Sequence, residues 1–405
     1  MVKWDTPLVS HLPWFELNDP WITGHVTIGD MYAHRSGLPD HAGDDLEDLG
    51  YDRRQILQRL RFAPLHAFRD DYAYTNFGLT AAAEAVAVAS GRDWATLSDE
   101  VLYRPLGMSA TSSRYADYAA GDNRAFLHVR TTNGFEPKYQ RRPDAQSPAG
   151  GVSSNVRDLA RWMAMVLDGG AYQGREIVAR DALLPAITPQ MVSSKAYAAD
   201  ARAGLYGYGF GVNVQPSGRV VLSHSGGFSL GAGTNYVLIP SAHVGIVILT
   251  NGSPAGAAET LGMEFADLVQ FGKVTRDWLV AYAGLLAPMN APFGTRIGKP
   301  MPANPAPALD LAAYAGTYTN DYYGDAVIVR QRDGLVMKIG PAATEFAFTH
   351  LDGNAFTFIP HSENASEGSI STATFATDSS GKVTALTIEL LDQTGIGTFR
   401  RGGSN

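Results

Sequence analysis

Cysteine is absent from all 405 residues. That excludes disulfides, thiolate zinc sites and cysteine nucleophiles together. Basic clusters are absent as well. The 32 lysines and arginines face 40 aspartates and glutamates, a formal charge of −8, and without a basic stripe a nucleic-acid partner has no electrostatic footing. No apolar run reaches the ~18 residues of a membrane span, so none is expected. The first fifteen residues, MVKWDTPLVSHLPWF, hold an acid and two prolines where an export signal has its apolar core; the compartment stays open. What is there is a globular composition, 45% hydrophobic and 18% charged, with ample material for a core.

Periodicity organises the chain into two parts. Residues 52–62, DRRQILQRLRF, place Ile56, Leu57 and Leu60 on one helical face. A helix over LTAAAEAVAVAS should stop at Gly91. Another over SSNVRDLARWMAMVLDGG takes Ser154 as its N-cap and closes at Gly169. RVVLSHS, TNYVLIP and VGIVILTNG then read as three successive strands. The last is nearly all apolar, so it is expected to be central in its sheet. AGAAETLGMEFADLVQF returns as a helix. Helices followed by antiparallel strands predict an α+β domain over residues 1–285.

A proline-dense linker is expected over 286–308. From 309 to 405 the period shortens. DAVIVRQRDGLVMKI has Asp333-Gly334 between two β-rich runs, a strong hairpin signal, and Asp352-Gly353 and Gly381 mark further turns. The expectation is a small all-β sandwich or barrel.

The chemistry-bearing strings follow one order: HRSGLP at 34–39, YTN at 74–76 before a helix, PLGM at 105–108, SPAGGVSSNVRDLARW at 147–162, YGYGFGVN at 206–213 and HSGG at 224–227 on a strand. Each is weak alone, because a tyrosine before a helix is usually packing and a strand histidine usually a satisfied polar group. Taken in order, they resemble the serine β-lactamase and penicillin-binding-protein superfamily, in the branch of class C β-lactamases, family VIII carboxylesterases and D-amino-acid peptidases. The resemblance spans roughly residues 3 to 272. The C-terminal β region resembles the lipocalin-like domain appended to some of these hydrolases.

The resemblance implies that Tyr74 and Asn76 match the Tyr-x-Asn element. His224, Ser225 and Gly226 match the Lys-Thr-Gly element, which reads His-x-Gly in several branches. Tyr74, Asn76 and His224 are then the catalytic candidates, and Ser225, Gly226 and Gly227 would line the substrate. No cofactor and no metal are implied. The family's Ser-x-x-Lys nucleophile element belongs on a helix upstream of HRSG. Here the string occurs only as Ser379-Ser380-Gly381-Lys382, in an expected turn of the C-terminal region, which is rejected as a nucleophile. By this alignment the sequence starts about one helix too late, as a truncated or split gene product would. An upstream reading frame without Ser-x-x-Lys would refute that.

The loss would reach beyond the serine. A tyrosine of pKa ~10 is only about 0.1% phenolate at pH 7, and a working base needs a shift of ~3 units, or ~4 kcal/mol. The family's neighbouring ammonium would favour the phenolate; without it Tyr74 should stay protonated. A central helix burying about five apolar side chains contributes ~8 to 15 kcal/mol, comparable with the ~5 to 15 kcal/mol of a whole domain. The chain alone is therefore expected to fold poorly, or to need the segment in trans or from a homodimer partner.

Other readings compete. Gly227-Phe228-Ser229-Leu230-Gly231 matches G-x-S-x-G, but that elbow needs a strand, a sharp turn and a helix, whereas strands flank it here. His34 and His41 with Asp40, Asp44 and Asp45 form a loop cluster that could hold a cation, although acidic glycine-containing loops are usually solvated turns. The leading expectation is a hydrolase of a small ester, peptidic amide or lactam acting through an acyl-serine. A histidine at 224, largely neutral at pH 7, leans the substrate towards neutral acyl groups. The alternative is a non-catalytic descendant that binds a peptide or acyl ligand, and an esterase using Ser229 ranks third.

Overall fold

The computed structural model describes residues 2–332, 334–360 and 362–402. The chain divides into two compact units, residues 1–41 with 65–290 and residues 42–64 with 291–405.

The first unit is built on a six-stranded antiparallel sheet in sequential order: β1 (Met191–Ser194), β2 (Gly204–Tyr206), β3 (Gly211–Val214), β4 (Val220–Phe228), β5 (Ala232–Ile239) and β6 (Val244–Thr250). Side chains alternate between faces along a strand, and both faces are covered. On one, Met163, Met165 and Val166 of α2 (Val156–Leu167) pack with Val212, Leu222 and Leu238. On the other, Ala266 of α3 (Ala257–Phe271) packs with Val221, Val237 and Ile239. Together these make the α+β architecture that helices followed by strands imply.

Two local expectations are corrected. Strand β6, expected to be central, is an edge strand among the described residues and pairs only with β5. Its apolar run comes from helices on both faces, with all seven residues half-buried; cover on the faces is a separate property from pairing at the edges. Helix α2 is capped by Asn155, whose side chain accepts from the amides of Arg157 and Asp158, while the Ser154 hydroxyl pairs with Thr111. Helix α1 (Asn76–Ser90) ends as expected at Gly91, whose φ of 68° is the left-handed turn glycine permits. It starts on the Thr75 cap, three residues before the apolar run, so Asn76 lies in its first turn.

The second unit is a closed eight-stranded antiparallel barrel running from Gly316–Asn320 to Thr398–Arg401, sealed where Tyr318 pairs with Arg401. The first hairpin forms where expected, Gln331 pairing with Gly334; Asp333 itself lies outside the described residues. Gly353 and Gly381 adopt positive φ at two later turns. The interior is filled with rings: Phe375 packs tilted against Tyr314 and edge-to-face against Phe356 and Phe348, at centroid distances of 4.7, 5.7 and 6.4 Å. Residues 42–64 belong to this unit. Tyr51 donates to Tyr323 O, Tyr322 Oη accepts from Gly43 N, and Arg59 donates to Asp321 O, each at 2.8 Å. Ile56, Leu57 and Leu60 are fully buried, as their helical spacing implies. The proline-rich stretch from residue 291 is pinned to the same unit, with Phe293 N on Ser369 and Thr295 N on Glu389. Among the described residues no helix is long and apolar enough to cross a membrane.

Candidate active site

The site begins with a buried carboxylate. Asp30 closes a capping box with Thr27 at the start of the short helix Ile28–Tyr32. It is fully buried and accepts from Arg35 Nε and Arg69 Nη2, both at 2.8 Å. Burial alone would raise its pKa, but the donors of Arg69, Arg35 and Thr27 outweigh that and hold it below the usual carboxylate range. Arg35 also donates to Gln190 O, and backbone bonds run from Arg69 N to Arg35 O and from Ala73 N to His34 O. The HRSG loop and the loop before Tyr74 are thereby laced together.

His34 sits at their junction with a left-handed φ of 54° and 1% exposure. Its ring lies 4.4 Å from that of Tyr74 and 5.3 Å from that of Tyr206. The Thr75 amide donates to His34 Nδ1, so the proton of the neutral ring is on Nε2, which has no partner. Burial, followed by the imidazoles of His224 and His41, pushes the His34 pKa down to about 3.

The residues singled out from sequence divide by position. Tyr74 and His224 come together, with ring centroids 6.1 Å apart. The carbonyl of Tyr74 accepts from His41 N at 2.7 Å, and Asn76 opens α1 two residues on. His224 in β4 contacts Tyr206, whose hydroxyl is 2.8 Å from Nε2, while Nδ1 lies 2.6 Å from Ser225 O. Burial lowers the His224 pKa, only partly offset by the Ser225 carbonyl. Ser225 is directed elsewhere. Its hydroxyl donates to Glu259, a nearly buried carboxylate on α3, so it lies on the strand face opposite His224. Gly226 and Gly227 continue the strand with exposed backbone. A Cβ at 227 would come within 2.5 Å of Pro254, so the residue must be glycine for that approach.

The rival constellations do not assemble. Ser229 lies in the hairpin turn between β4 and β5, where Gly231 N bonds Phe228 O, and no helix follows. Ser379–Lys382 forms a turn organised by Asp378, whose Oδ1 accepts from Ser380 and Lys382 amides. Among the described residues no group of three or more histidines, aspartates or glutamates is placed to hold a metal. Within the proposed cluster, His41 Nε2 stands 3.9 Å from Asp40 and His34 is enclosed by rings.

Residues 2–269 match the family model described as Beta-lactamase. The chain belongs to that family. Residues 300–397 match a second family, described as a domain of unknown function, DUF3471. Among curated relatives, the chain is 26% identical over 403 residues to an unguisins hydrolase of Aspergillus violaceofuscus, covering 88% of this chain and 69% of that protein. A second unguisins hydrolase, of Aspergillus campestris, is 28% identical over 81% of this chain and 63% of its own length. The D-alanyl-D-alanine-carboxypeptidase/endopeptidase AmpH of Escherichia coli is 25% identical over 66% of this chain and 69% of its own. Among solved structures, the octameric penicillin-binding protein homologue from Pyrococcus abyssi aligns over 96% of this chain and 81% of its own, at 17% identity and a TM-score of 0.55. The D-stereospecific amidohydrolase from Streptomyces sp. aligns over 67% and 80%, at 18% identity and 0.54. These two show the shared fold.

Within this candidate site, the sequence placed His34 only in a candidate cation loop and did not single out Tyr72 or Tyr206. HRSG and YGYGFG were both in view as strings. What singles out His34 is the left-handed turn that aims its ring at Tyr74. What singles out Tyr206 over Tyr208 is strand register, since Tyr206 pairs with Gly211 while Tyr208 stacks on Trp4 at 4.3 Å.

Proposed function

We propose that this chain carries the substrate-facing half of a serine hydrolase site that cleaves an ester, peptidic amide or lactam through an acyl-serine intermediate. The observation that carries the reading is the meeting of the Tyr74 and His224 rings at 6.1 Å, from segments 150 residues apart that occur in the family's order. In this reading Tyr74 relays the proton between the nucleophile and the leaving group, and Asn76 orients the substrate amide or the lysine partner. The exposed backbone of β4 at Gly226 and Gly227 lines the acyl group and offers an N–H to its oxyanion. The Ser-x-x-Lys string at 379–382 is a barrel turn and is not the nucleophile element of this reading. The relatives named as hydrolases and as a carboxypeptidase/endopeptidase support amide and peptide bonds as the substrate class.

The missing motif also favours a second reading, a non-catalytic descendant that keeps the pocket to bind an acyl or peptide ligand. Turnover of para-nitrophenyl butyrate separates the two when measured on this chain and on a form extended upstream to include a Ser-x-x-Lys helix. The hydrolase reading expects activity only in the extended form, falling by about 10²- to 10⁴-fold in Tyr74→Phe. An inactive extended form leaves the binding reading. Activity in the chain as given that vanishes in Ser229→Ala would replace both.

A further inference from the structure

His224 carries an unusual constraint on its protons. A carbonyl oxygen only accepts, so the 2.6 Å contact with Ser225 O requires a proton on Nδ1. Nε2 then presents a lone pair unless the ring is cationic. The group opposite it is the Tyr206 hydroxyl, 2.8 Å away at the end of β2. That phenol is 6% exposed, and burial raises its pKa well above the ordinary value, so it remains a donor. The groups around the pair are themselves uncharged rings. Tyr74 faces His224 from the loop before α1, Tyr236 is its register partner on β5, and Tyr72 and His34 face Tyr206 at 5.5 and 5.3 Å. Asn235 adds an amide donating to His224 O. Among the described residues His224 makes no ion pair.

We infer that Tyr206 is a positioning residue that holds His224 as a neutral, Nδ1-protonated hydrogen-bonding group, and that this makes the pocket select acyl compounds without a carboxylate near the reacting carbonyl. The inference rests on the hydrolase reading for its substrate class, but not for the state of the imidazole. A lysine in place of His224 would bring a fixed cation to the strand. An imidazole whose Nε2 lone pair is engaged by a phenol brings none, and a bound carboxylate would lie against rings with no charge to answer it. Protonating His224 would turn Nε2 into a donor, so that the Tyr206 O–H must rotate away and its oxygen accept instead, leaving a buried hydroxyl proton without its acceptor. The Ser225 carbonyl thus fixes the tautomer, and the phenol opposes the charged state.

Two measurements on the full chain test this. In the first, two-bond nitrogen–proton NMR correlations are recorded with ¹⁵N-histidine, and the His224 signals are assigned by their loss in His224→Gln. The wild type should show the Nδ1–H tautomer at pH 7 and remain neutral at pH 6. Tyr206→Phe should keep the Nδ1–H held by Ser225 O but show a population of imidazolium at pH 6. An Nε2–H or cationic His224 in the wild type, or an unchanged spectrum in Tyr206→Phe, overturns the inference. In the second, titration calorimetry compares phenylacetylglycine with its methyl ester. The wild type should prefer the ester at least threefold, Tyr206→Phe should narrow that ratio at pH 6, and His224→Lys, which keeps Tyr206, should reverse it. A wild type that prefers the acid overturns the selectivity. Failure of both ligands to bind defeats the hydrolase reading and the selectivity with it, while the protonation result still decides the role of Tyr206.

Discussion

Both units bury clusters of tyrosines, and they use them differently. In the barrel, each buried hydroxyl is tied to the fold: Tyr318 donates to Tyr314 O, Tyr323 to Leu391 O and Tyr314 to the Asn354 side chain, at 2.6 to 2.9 Å. In the first unit, the Tyr206 hydroxyl goes to an imidazole, and beside it lies a buried ring nitrogen, His34 Nε2, with nothing to bond. Asn235 Oδ1, on the paired strand β5, is likewise without a partner. Buried polar groups normally find partners because leaving one unmade costs ~1 to 3 kcal/mol. A cluster that carries such losses is one where stability has been yielded to something else. The partner of the hydroxyl, rather than the residue type, distinguishes a packing tyrosine from a site tyrosine.

The comparison can be broken most forcefully at Asp30. The unsatisfied inner rings stand on a fully satisfied carboxylate. Asp30→Asn would leave Arg35 and Arg69 without their buried counter-charge, and should cost ~3 to 5 kcal/mol. All six tryptophans lie in the first unit, at 4, 14, 21, 94, 162 and 278, so the denaturant midpoint of tryptophan fluorescence reads that unit alone. A loss below ~1 kcal/mol would mean the network is ornamental and the two loops are held by backbone bonds.

Acid is the next lever. His34 and His224 both have folded pKa values below the ~6.5 of an unfolded chain. Their neutral forms are favoured by folding, so that stability is complete above pH ~6.5 and is lost as pH falls from there towards the folded values, about 3 for His34. Each contributes a slope of up to ~1.4 kcal/mol per pH unit in the window. Between pH 6.5 and 5, before most carboxylates protonate, tryptophan-monitored stability should fall with a slope of up to about twice that. His34→Asn, which removes one of the two groups, should roughly halve it. An unchanged slope in that variant would show that the His34 ring is hydrated and titrates freely.

How much of this was legible in the sequence depends on the scale of the interaction. The family's motif order, the αL stop at Gly91 and the barrel's turns are local signals, each set by a few neighbouring residues, and they could be read directly. The Ser154 cap failed by one residue because serine and asparagine both cap, and only geometry shows which side chain reaches the amides of residues 157 and 158. Strand β6 was misplaced because an apolar run reports covered faces and says nothing about the neighbour along the edge. The allegiance of residues 42–64 to the barrel unit was invisible, since Ile56, Leu57 and Leu60 make the same helical stripe whichever surface covers them. Tyr206 and His34 depend on register and on one left-handed residue, which no spacing rule encodes.

A matched pair of phenol-to-phenyl changes sharpens the contrast further. Tyr318→Phe removes a donor from a backbone carbonyl enclosed in the barrel, where no water replaces it. It should cost ~1 to 2 kcal/mol, read as lost hydrogen-exchange protection of the barrel strands, with the tryptophan transition unmoved.

Tyr206→Phe should cost less, about 0 to 1 kcal/mol in the tryptophan transition, although the hydrogen bond it deletes is equally short. The reason lies in the acceptor. A backbone carbonyl deprived of its donor has no alternative state, whereas an imidazole has two tautomers and a cation, and His224 keeps part of its surface open to solvent. It can hydrate or ionise at Nε2, and so recover much of what is lost. If Tyr206→Phe instead destabilised the first unit by as much as Tyr318→Phe does the barrel, the Tyr206–His224 contact would be a packing bond like the others, and the division drawn between the two tyrosine clusters would fall.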